Sequence, residues 1–528
     1  MITGKNFVGS TMSSEGELTF DTYNPLLNIE NGFTFYEATD TEVNSALELA
    51  TEAFERYQDV TGMEKACFLR QIADEIEALG DDLVKVYCQE TGLPEGRAKG
   101  ERGRTVGQLR SFADLVEEGS WVNATIDTGE PNRSPAPKPD LRKIKVPLGP
   151  VVVFGASNFP LAYSTAGGDT ASALAAGCPV VVKSHPMHAG TGELVASAIS
   201  KAVEKTNMPN GVFSNLNSSG IEVGVQLVKH PNTKAVGFTG SIKGGRALFD
   251  MASNRPEPIP VFAEMGSINP VVLLPNALEE KGDDWAKTYA SSITLGTGQF
   301  CTNPGLLIAI EGKALDSFVE VLAKEIVAIA PTCMLHPNIH SNYGTNQKAI
   351  LKQDGAAAIA SYSESVQSNF AKQAVAKVDG AAFVANPELH EEVFGPFSLV
   401  VACKNKQELL QAVKAIGGQL TGTVIATDSE VSKHKDLINA LRTRVGRLIF
   451  NGVPTGVEVC PSMQHGGPYP ASTDSRFSAV GIHAIDRWVR PVSYQSWPND
   501  LLPKALKDEN PLGIDRLVNG KLTKDIIV

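Results

Sequence analysis

Cys301 is the cysteine whose surroundings favour chemistry over packing. It follows GTGQF and precedes TNPG, a polar, glycine-rich stretch in which the backbone can approach a ligand closely. Cys178 and Cys403 instead lie within apolar runs, where a cysteine usually serves as a small buried hydrophobic residue. The seven cysteines form no C-x-x-C pair and no Cys/His cluster. We therefore expect a nucleophilic thiol at position 301, no disulfide framework and no metal site.

A glycine-rich turn at 237–249, GFTGSIKGGRALF, lies between an apolar strand and a helix. Free N–H groups and the positive end of a helix at such a turn suit a phosphate group, although a plain tight connection is an equally good interpretation. The spacing of Gly240 and Gly245 resembles a P-loop, yet Arg246 and Ala247 stand where its Lys and Ser/Thr would be. The fingerprint G-x-G-x-x-G is also missing, so neither an NTPase nor a conventional Rossmann dehydrogenase is indicated.

A cysteine hydrolase or acyltransferase that uses Cys301 without a cofactor is the alternative from another enzyme class. It would need a histidine base, and none of the nine histidines lies in a segment that resembles that role. HGG at 465–467 resembles the oxyanion loop of lipases, but no G-x-S-x-G elbow accompanies it. We therefore disfavour this alternative.

The elements that position these residues are predicted from hydrophobic periodicity. Residues from about 40 to 118 show the spacing of amphipathic helices. The proline-rich stretch 129–140 leads into an alternating segment typical of an exposed strand. From 150, and again from about 269, short apolar strands alternate with helices, which predicts two mostly parallel sheets covered by helices. The tail from about 484 is suited to pair with an edge strand of another subunit.

Composition limits the classes of partner. The chain of 528 residues is 42% hydrophobic and 20% charged, enough for two or three globular domains. Its net charge of -12 would repel phosphate backbones and anionic membrane surfaces, so we expect no nucleic-acid partner. Neither a signal-peptide pattern nor an apolar stretch of about 20 residues is present. We expect a cytoplasmic protein without a membrane span.

The order of several segments resembles the aldehyde dehydrogenase superfamily over nearly the whole chain. These segments are VVVFGASNFPLAYS, PVVVKSHP, GFTGSIKGG, VFAEMGSINPVVL, GQFCTNPG and EEVFGPF. The resemblance implies an α/β aldehyde dehydrogenase fold: a Rossmann-like cofactor-binding domain at 1–128 and 149–267 and an α/β catalytic domain at 268–483. It also implies a small β oligomerisation element at 129–148 and 484–528, in a homodimer or homotetramer.

The resemblance gives catalytic roles to Cys301, Glu264 and Asn158. Cys301 would add to an aldehyde, forming a thiohemiacetal that loses a hydride to become a thioester. Glu264 would act as the general base that activates water for hydrolysis. Asn158, with the Cys301 backbone N–H, would hold the developing oxyanion. The presence of all three argues against a non-enzymatic protein of this fold, and Glu264 argues against a CoA-acylating enzyme.

The resemblance also implies NAD or NADP as cofactor. The residues assigned to it are Ser157, Lys183, His185, Gly240, Ser241, Glu392 and Phe394. Lys183 would bond the adenosine ribose, Gly240 and Ser241 would meet the pyrophosphate, and Glu392 and Phe394 would hold the nicotinamide ribose and ring. A plain loop histidine is an equally good interpretation of His185.

Pro186 departs from the family pattern, because a Glu that bonds the ribose 2′-hydroxyl is expected at this position. Without that carboxylate, a 2′-phosphate meets no repulsion there. The sequence therefore predicts that NADP is usable, although no Arg is evident nearby to pair with the phosphate.

The substrate is narrowed by finer resemblance. ETGLPEGRAKGERGRTVGQLRSFA at 90–113 and HGGPYPAS resemble the branch containing α-ketoglutarate semialdehyde (2,5-dioxovalerate) dehydrogenases and an NADP-linked fatty aldehyde dehydrogenase. The semialdehyde is the first expectation and medium or long aliphatic aldehydes are the alternative. An anionic substrate needs cationic groups, for which Arg102, Arg104 and Arg110 are candidates, although each is also typical of a solvated helix face.

Overall fold

The computed structural model describes residues 2–527, and its helices follow the predicted pattern. Residues 40–118 form α1 (Asp40–Tyr57), α2 (Gly62–Ala78), α3 (Gly80–Thr91) and α4 (Glu95–Glu118). The later helices are α5 (Gly168–Ala176), α6 (Ala189–Lys205), α7 (Glu222–Lys229), α8 (Ile242–Ser253), α9 (Pro275–Thr294), α10 (Lys313–Ala328), α11 (Pro337–Leu351), α12 (Gly380–Ala385), α13 (Lys406–Ala415), α14 (Asp428–Lys433) and α15 (Lys435–Arg442).

The strands fall into three sheets and one hairpin. In chain order they are β1 (Asn6–Val8), β2 (Thr11–Ser13), β3 (Thr19–Asn24), β4 (Ile29–Tyr36), β5 (Thr125–Asp127), β6 (Leu141–Pro147), β7 (Val151–Phe154), β8 (Val180–Lys183), β9 (Phe213–Leu216), β10 (Ala235–Thr239), β11 (Val261–Glu264), β12 (Pro270–Leu273), β13 (Leu306–Ile310), β14 (Ala357–Ser361), β15 (Ala374–Asp379), β16 (Phe397–Cys403), β17 (Gln419–Ile425), β18 (Val445–Phe450), β19 (Val489–Gln495), β20 (Arg516–Val518) and β21 (Lys521–Thr523). Strands β3 and β4 form the hairpin.

The first sheet has the order β11-β10-β7-β8-β9-β1-β2. Strands β11, β10, β7, β8 and β9 run parallel, and β1 is antiparallel to β9. The apolar runs predicted these strands correctly, because a parallel strand covered by helices on both faces buries nearly every side chain. Separate apolar cores pack against the two faces of this sheet.

The second sheet has the order β14-β15-β16-β13-β12-β17-β18. Its strands from β15 to β18 are parallel, and only β14 is antiparallel to its neighbour. Cys403 is fully buried in β16, and Cys178 is fully buried beside the first sheet, as their apolar surroundings predicted.

A third, five-stranded sheet has the order β19-β6-β5-β20-β21. Strand β6, for which the sequence predicted an exposed strand, lies between β19 and β5 in this sheet and alternates in burial, with Arg142 and Ile144 buried and Lys143 exposed. The tail folds back so that β19 runs antiparallel to β6 of the same chain. One edge of β19 stays unpaired among residues 2–527. The sheet includes β5, which precedes residue 129, and the domain boundaries stay a prediction.

The carboxyl ends of the parallel strands of the first sheet meet at one edge. Strands β7, β8, β10 and β11 end there at Phe154, Lys183, Thr239 and Glu264. Ligands of open α/β sheets bind in the crevice outside this edge.

Across the described part of the chain, every helix is too short or too polar to cross a bilayer.

Candidate active site

A cleft of about 950 Å³ opens at this edge and brings together most of the predicted site residues. The predicted catalytic residues all line it, with five of the predicted cofactor residues: Asn158, Glu264, Cys301, Ser157, Gly240, Ser241, Glu392 and Phe394. They come from distant parts of the sequence, so it is the fold that assembles them.

The loop that carries Cys301 is held by close backbone contacts. It follows α9 and precedes β13, and Gly298 in it has a φ of +65°. A Cβ at Gly298 would lie 2.2 Å from the carbonyl carbon of Gly395, so only glycine permits the two backbones to approach. The amide of Asn269 donates to the carbonyl oxygens of Cys301 (2.8 Å) and Asn303 (2.9 Å). The thiol is therefore presented by an ordered loop rather than by a free one.

His465 links the thiol to the carboxylate. Its Nε2 lies 3.5 Å from Sγ of Cys301, and its Nδ1 lies 2.6 Å from Oε2 of Glu264. Both the imidazole and the carboxylate are buried. Burial acts to lower the pKa of His465, but Glu264, Tyr163 and Cys301 outweigh it and raise that pKa well above its usual value. The three side chains form a Cys–His–Glu series.

We expected that none of the nine histidines lies in a segment that resembles a cysteine base, and the contact of His465 with Cys301 shows this expectation to be wrong. His465 begins the HGG motif, and sequence reasoning missed it because its contact with Cys301 spans 164 residues of chain. The loop that carries His465 runs back along the end of β11. The backbone N–H of Met265 donates to Ala471 O at 2.8 Å, and Ala479 N–H donates to His465 O at 2.8 Å. The HGG motif is visible in the sequence, but no local pattern shows that its histidine contacts Cys301 and Glu264.

Glu264 is the last residue of β11 and has one carboxylate oxygen to spare. Oε2 lies 2.6 Å from Nδ1 of His465 in an ion-pair contact, and both carboxylate oxygens are buried without a hydrogen-bond partner among residues 2–527. A buried carboxylate oxygen that borders a cleft is suited to accept a proton from a water molecule. Glu264 is thus placed to act both on His465 and on the cleft.

Asn158 points its amide toward the cysteine loop. Its Nδ2 donates to the carbonyl oxygen of Gln299 at 3.0 Å. The backbone N–H of Cys301 donates to no residue in the described range 2–527. An amide N–H and a free backbone N–H beside one thiol are suited to stabilise an oxyanion formed there.

The turn before α8 lies in the cleft as predicted, with one qualification. Ser241 caps the helix, its Oγ accepting from Gly244 N–H at 3.1 Å. The N–H of Gly240 donates to the carbonyl oxygen of Glu264 at 2.9 Å and is not free for a ligand. The N–H groups of the first turn of α8 are the donors suited to a phosphate.

Glu392 and Phe394 also line the cleft. A Cβ at Gly266 would lie 2.5 Å from Oε2 of Glu392, so the carboxylate packs directly on that glycine. Burial raises the pKa of Glu392 to about 7, against the hydrogen bond from the backbone N–H of Ser267. Such a carboxyl is suited to bond a ribose hydroxyl in either protonation state.

Lys183 and His185 lie outside the lining of the cleft, at the end of β8. Lys183 Nζ donates to Ser218 O at 2.5 Å, and burial lowers its pKa to about 8 while Glu37 acts in the opposite direction. His185 stacks on His188 with 5.0 Å between ring centroids, and burial lowers the pKa of His185. These contacts suit Lys183 as a ligand donor better than His185, which is already packed.

Of the three arginines considered for an anionic substrate, only Arg104 approaches the site. Arg110 pairs with carboxylates of α2, among them Glu77 at 2.7 Å. Arg102 donates to a backbone carbonyl at 2.8 Å. Arg104 Nη2 donates to the hydroxyl of Tyr163 at 2.8 Å, and the Tyr163 ring lies 5.9 Å from that of His465.

Within residues 2–527, no group of three or more His, Cys, Asp or Glu side chains is suited to hold a metal ion.

Comparison with known proteins gives one consistent result. A family model described as "Aldehyde dehydrogenase family" matches residues 11–489. An alpha-ketoglutaric semialdehyde dehydrogenase of Acinetobacter baylyi is 46% identical over 523 residues, 99% of each chain. Alpha-ketoglutaric semialdehyde dehydrogenase 2 of Azospirillum brasilense is 48% identical over 521 residues, covering 98% of this chain and 99% of the relative.

Solved structures agree at the level of the fold. Betaine aldehyde dehydrogenase of Staphylococcus aureus, solved as a point mutant with NAD+, has a TM-score of 0.80 at 21% identity and covers 94% of this chain and 98% of its own. A 1-pyrroline-5-carboxylate dehydrogenase of Thermus thermophilus has a TM-score of 0.78 at 21% identity, and the match covers 93% of this chain and 92% of that protein.

Proposed function

This chain belongs to the aldehyde dehydrogenase family, and we propose that it oxidises α-ketoglutarate semialdehyde (2,5-dioxopentanoate) through a thioester on Cys301. The family, the fold and NAD(P)-dependent aldehyde oxidation, all predicted from the sequence, are confirmed. The alternative of a cofactor-free cysteine hydrolase is not retained. The observation that carries the proposed chemistry is the contact of one imidazole with both Cys301 and Glu264.

The first step is activation of the thiol. The proton of Cys301 lies on Nε2 of His465 in a thiolate–imidazolium pair, which the Glu264 carboxylate beside Nδ1 stabilises. Only the thiolate adds readily to an aldehyde carbon, so this ion pair is the reactive state of the site. The bond that forms is between Sγ and the aldehyde carbon, and the aldehyde oxygen becomes an oxyanion.

The oxyanion is held by donors that do not have to rearrange far. Asn158 Nδ2 leaves the Gln299 carbonyl, and the Cys301 backbone N–H joins it. Removing one such donor in other enzymes lowers kcat by roughly 10²- to 10³-fold. We expect Asn158→Ala to have an effect of that size.

The cofactor is NAD(P)+, and the residues present fit it. The first turn of α8 would hold the pyrophosphate, Lys183 the adenosine ribose, and Glu392 with Phe394 the nicotinamide end. Ser157 lies beside Asn158 in the same cleft. When bound, the nicotinamide supplies the acceptor for the hydride released from the aldehyde carbon.

The second half-reaction is hydrolysis of the thioester. Glu264 accepts a proton from water at Oε1, which is buried without a hydrogen-bond partner among the described residues. The hydroxide attacks the thioester carbon, the C–S bond breaks, and the cysteine thiolate is released with the carboxylic acid. The protons then leave through Glu264 and His465, which restores the starting state.

NADP+ is proposed to be accepted along with NAD+. Pro186 opens a short 3-10 turn, Pro186–His188, next to Lys183, and places no carboxylate there. The Glu37 carboxylate, to which Ser219 donates, is a charge from another segment that acts on Lys183. The preference between the two cofactors is tested by the Pro186 variants described in the Discussion.

A homo-oligomer, dimer or tetramer, is proposed from the free edge of β19. A row of unpaired backbone groups on an edge strand is a template for pairing with a second chain. We propose that β19 pairs with the outer strand β18 of the second sheet of another copy, which exposes Leu448 and Phe450. Light scattering after size-exclusion chromatography tests this: a monomer at micromolar concentration would contradict it.

The substrate is tested by steady-state kinetics. We expect kcat/KM for 2,5-dioxopentanoate to exceed the values for hexanal to dodecanal by at least tenfold, the equivalent of about 1.4 kcal/mol of transition-state binding. A higher kcat/KM for the aliphatic aldehydes would instead support the fatty aldehyde alternative.

A further inference from the structure

Three arginines contact the side chains of one cluster, Phe159, Tyr163, Phe300 and Met463, and we propose that they form the site that binds the carboxylate end of the substrate, with Arg104 as its principal residue. We call Arg97, Arg104 and Arg447 the arginine cluster. Arg97 and Arg104 are seven residues apart on α4, which places them on one face of the helix. Arg447 comes from β18 of the second sheet. The inference rests on the proposed function and names the residues that select its substrate.

Arg97 lies against the residues that flank the reacting groups. Its guanidinium carbon is 4.4 Å from the ring centroid of Phe159 and 4.7 Å from that of Phe300. Phe159 follows Asn158 and Phe300 precedes Cys301 in the chain, and the two rings contact each other with 5.6 Å between centroids, so we place the aldehyde beside this pair. Arg97 Nη2 also donates to the backbone oxygen of Asn158 at 3.5 Å. A cation is therefore held beside the oxyanion site by aromatic faces.

Arg104 has no anion to balance its charge. Its Nη2 donates to Tyr163, and its Nε is buried without a hydrogen-bond partner in the described chain. Glu101, on the same face of α4, does not compensate it. The Glu101 carboxylate accepts from the backbone N–H groups of Leu161 and Ala162 at 2.8 and 3.0 Å and contacts only Arg97 among the arginines.

Arg447 is likewise held by neutral groups. Its Nη1 donates to Gly456 O at 3.1 Å and its Nη2 to Pro454 O at 2.6 Å, and it makes no ion pair with residues 2–527. Burial lowers the pKa of Arg447, and Cys301 and Tyr163 are the ionisable groups that act in the opposite direction. The guanidinium thus lies within electrostatic range of the thiol and remains charged.

These observations favour an anionic substrate over an aliphatic one. In a chain of net charge -12, two partly buried guanidiniums without carboxylate partners carry a desolvation cost that an anionic ligand would offset. The aldehyde and carboxylate carbons of an extended five-carbon dioxo acid are about 5 Å apart, a distance within reach of side chains that contact the rings flanking Cys301. A fatty aldehyde would instead place methylene groups against the same charges.

The test compares two aldehydes of equal chain length in matched variants. The quantity measured is the ratio of kcat/KM for 2,5-dioxopentanoate to kcat/KM for pentanal. We expect Arg104→Met to lower this ratio by roughly 10- to 100-fold, because a charge-assisted hydrogen bond is lost, and Arg97→Met and Arg447→Met to lower it less. Arg104→Lys retains the charge but not the paired donors and should lower it by an intermediate factor. Arg102→Met, on the same helix but turned to a backbone carbonyl, should leave it unchanged.

The outcomes separate this inference from the proposed function. If the wild type prefers the dioxo acid and Arg104→Met lowers kcat/KM for both aldehydes equally, Arg104 only holds Tyr163 and the inference is wrong. An unchanged ratio in Arg104→Met also overturns it. If the wild-type enzyme does not prefer the dioxo acid to pentanal, it is the proposed substrate that fails.

Discussion

Nδ1 of His465 lies 2.6 Å from Oε2 of Glu264, and both side chains are buried. A carboxylate at this distance fixes the orientation of the imidazole and favours its protonated form. The opposite ring nitrogen then faces the thiol of Cys301. The relationship gives Glu264 an influence on the thiol that its position in the sequence did not indicate.

The first prediction concerns His465→Gln. The raised pKa of His465 means that the imidazolium persists to higher pH than in an ordinary histidine and is fully present at pH 6. This cation lies 3.5 Å from Sγ of Cys301, where it stabilises the thiolate that iodoacetamide attacks. We expect the rate of Cys301 alkylation by iodoacetamide at pH 6, followed by peptide mass spectrometry, to fall by roughly tenfold or more in the variant.

The control for this prediction is His483→Gln. His483 is a largely exposed histidine whose ring contacts Asp486 at 3.8 Å. The rate of Cys301 alkylation in His483→Gln should match that of the wild-type protein. Identical profiles in His465→Gln and wild type would show that the histidine does not act on the thiol.

The second prediction concerns Glu264→Gln, which removes the base for hydrolysis but keeps the shape of the side chain. A single-turnover burst of NAD(P)H should survive, while the steady-state rate falls by roughly 10²-fold or more, the usual contribution of a general base. Rapid-mixing absorbance at 340 nm separates the two phases. If burst and steady state fall together, Glu264 acts mainly through His465 on the thiol.

The sequence predicted the parallel sheets and the helices over 40–118 because both depend on local patterns: short apolar runs and 3.6-residue periodicity. The sequence did not predict which strands pair with β6, because β19, which runs antiparallel to it, lies more than 300 residues later. The same limit applies to His465. Its segment is distinctive, but a contact across the cleft depends on how two sheets are placed, which no local pattern records.

The third prediction concerns the cofactor and rests on Pro186. A carboxylate at this position would lie close to a 2′-phosphate, so Pro186→Glu should shift the ratio of kcat/KM toward NAD+ by roughly tenfold, or about 1.4 kcal/mol. Pro186→Gln is the matched control, since it changes the backbone without adding charge. All three proteins are compared at one ionic strength. A wild type that rejects NADP+ by more than about a hundredfold, or equal shifts in both variants, would contradict the charge argument.

The fourth prediction is a pH dependence of cofactor binding. Burial lowers the pKa of Lys183 to about 8, so its ammonium is present at pH 7 and largely lost by about pH 9. Because a 2′-phosphate gains more than a hydroxyl from this charge, Kd for NADP+ should rise over this range by a larger factor than Kd for NAD+. Fluorescence titration measures both. Lys183→Met should abolish the difference between the two cofactors, and a difference that persists in this variant would assign it to another group.

The central claim is that the aldehyde is oxidised while bound to Cys301, and Cys301→Ala tests it most directly. The thiol forms the covalent intermediate but lies beyond the part of the cleft assigned to the phosphates, so the variant should bind NAD(P)+ with nearly wild-type affinity and produce no NAD(P)H from 2,5-dioxopentanoate. The measurement is the steady-state rate at saturating cofactor, with binding followed by titration calorimetry. Turnover below about a thousandth of wild type with intact binding is the predicted result; residual turnover above about a hundredth would contradict the account.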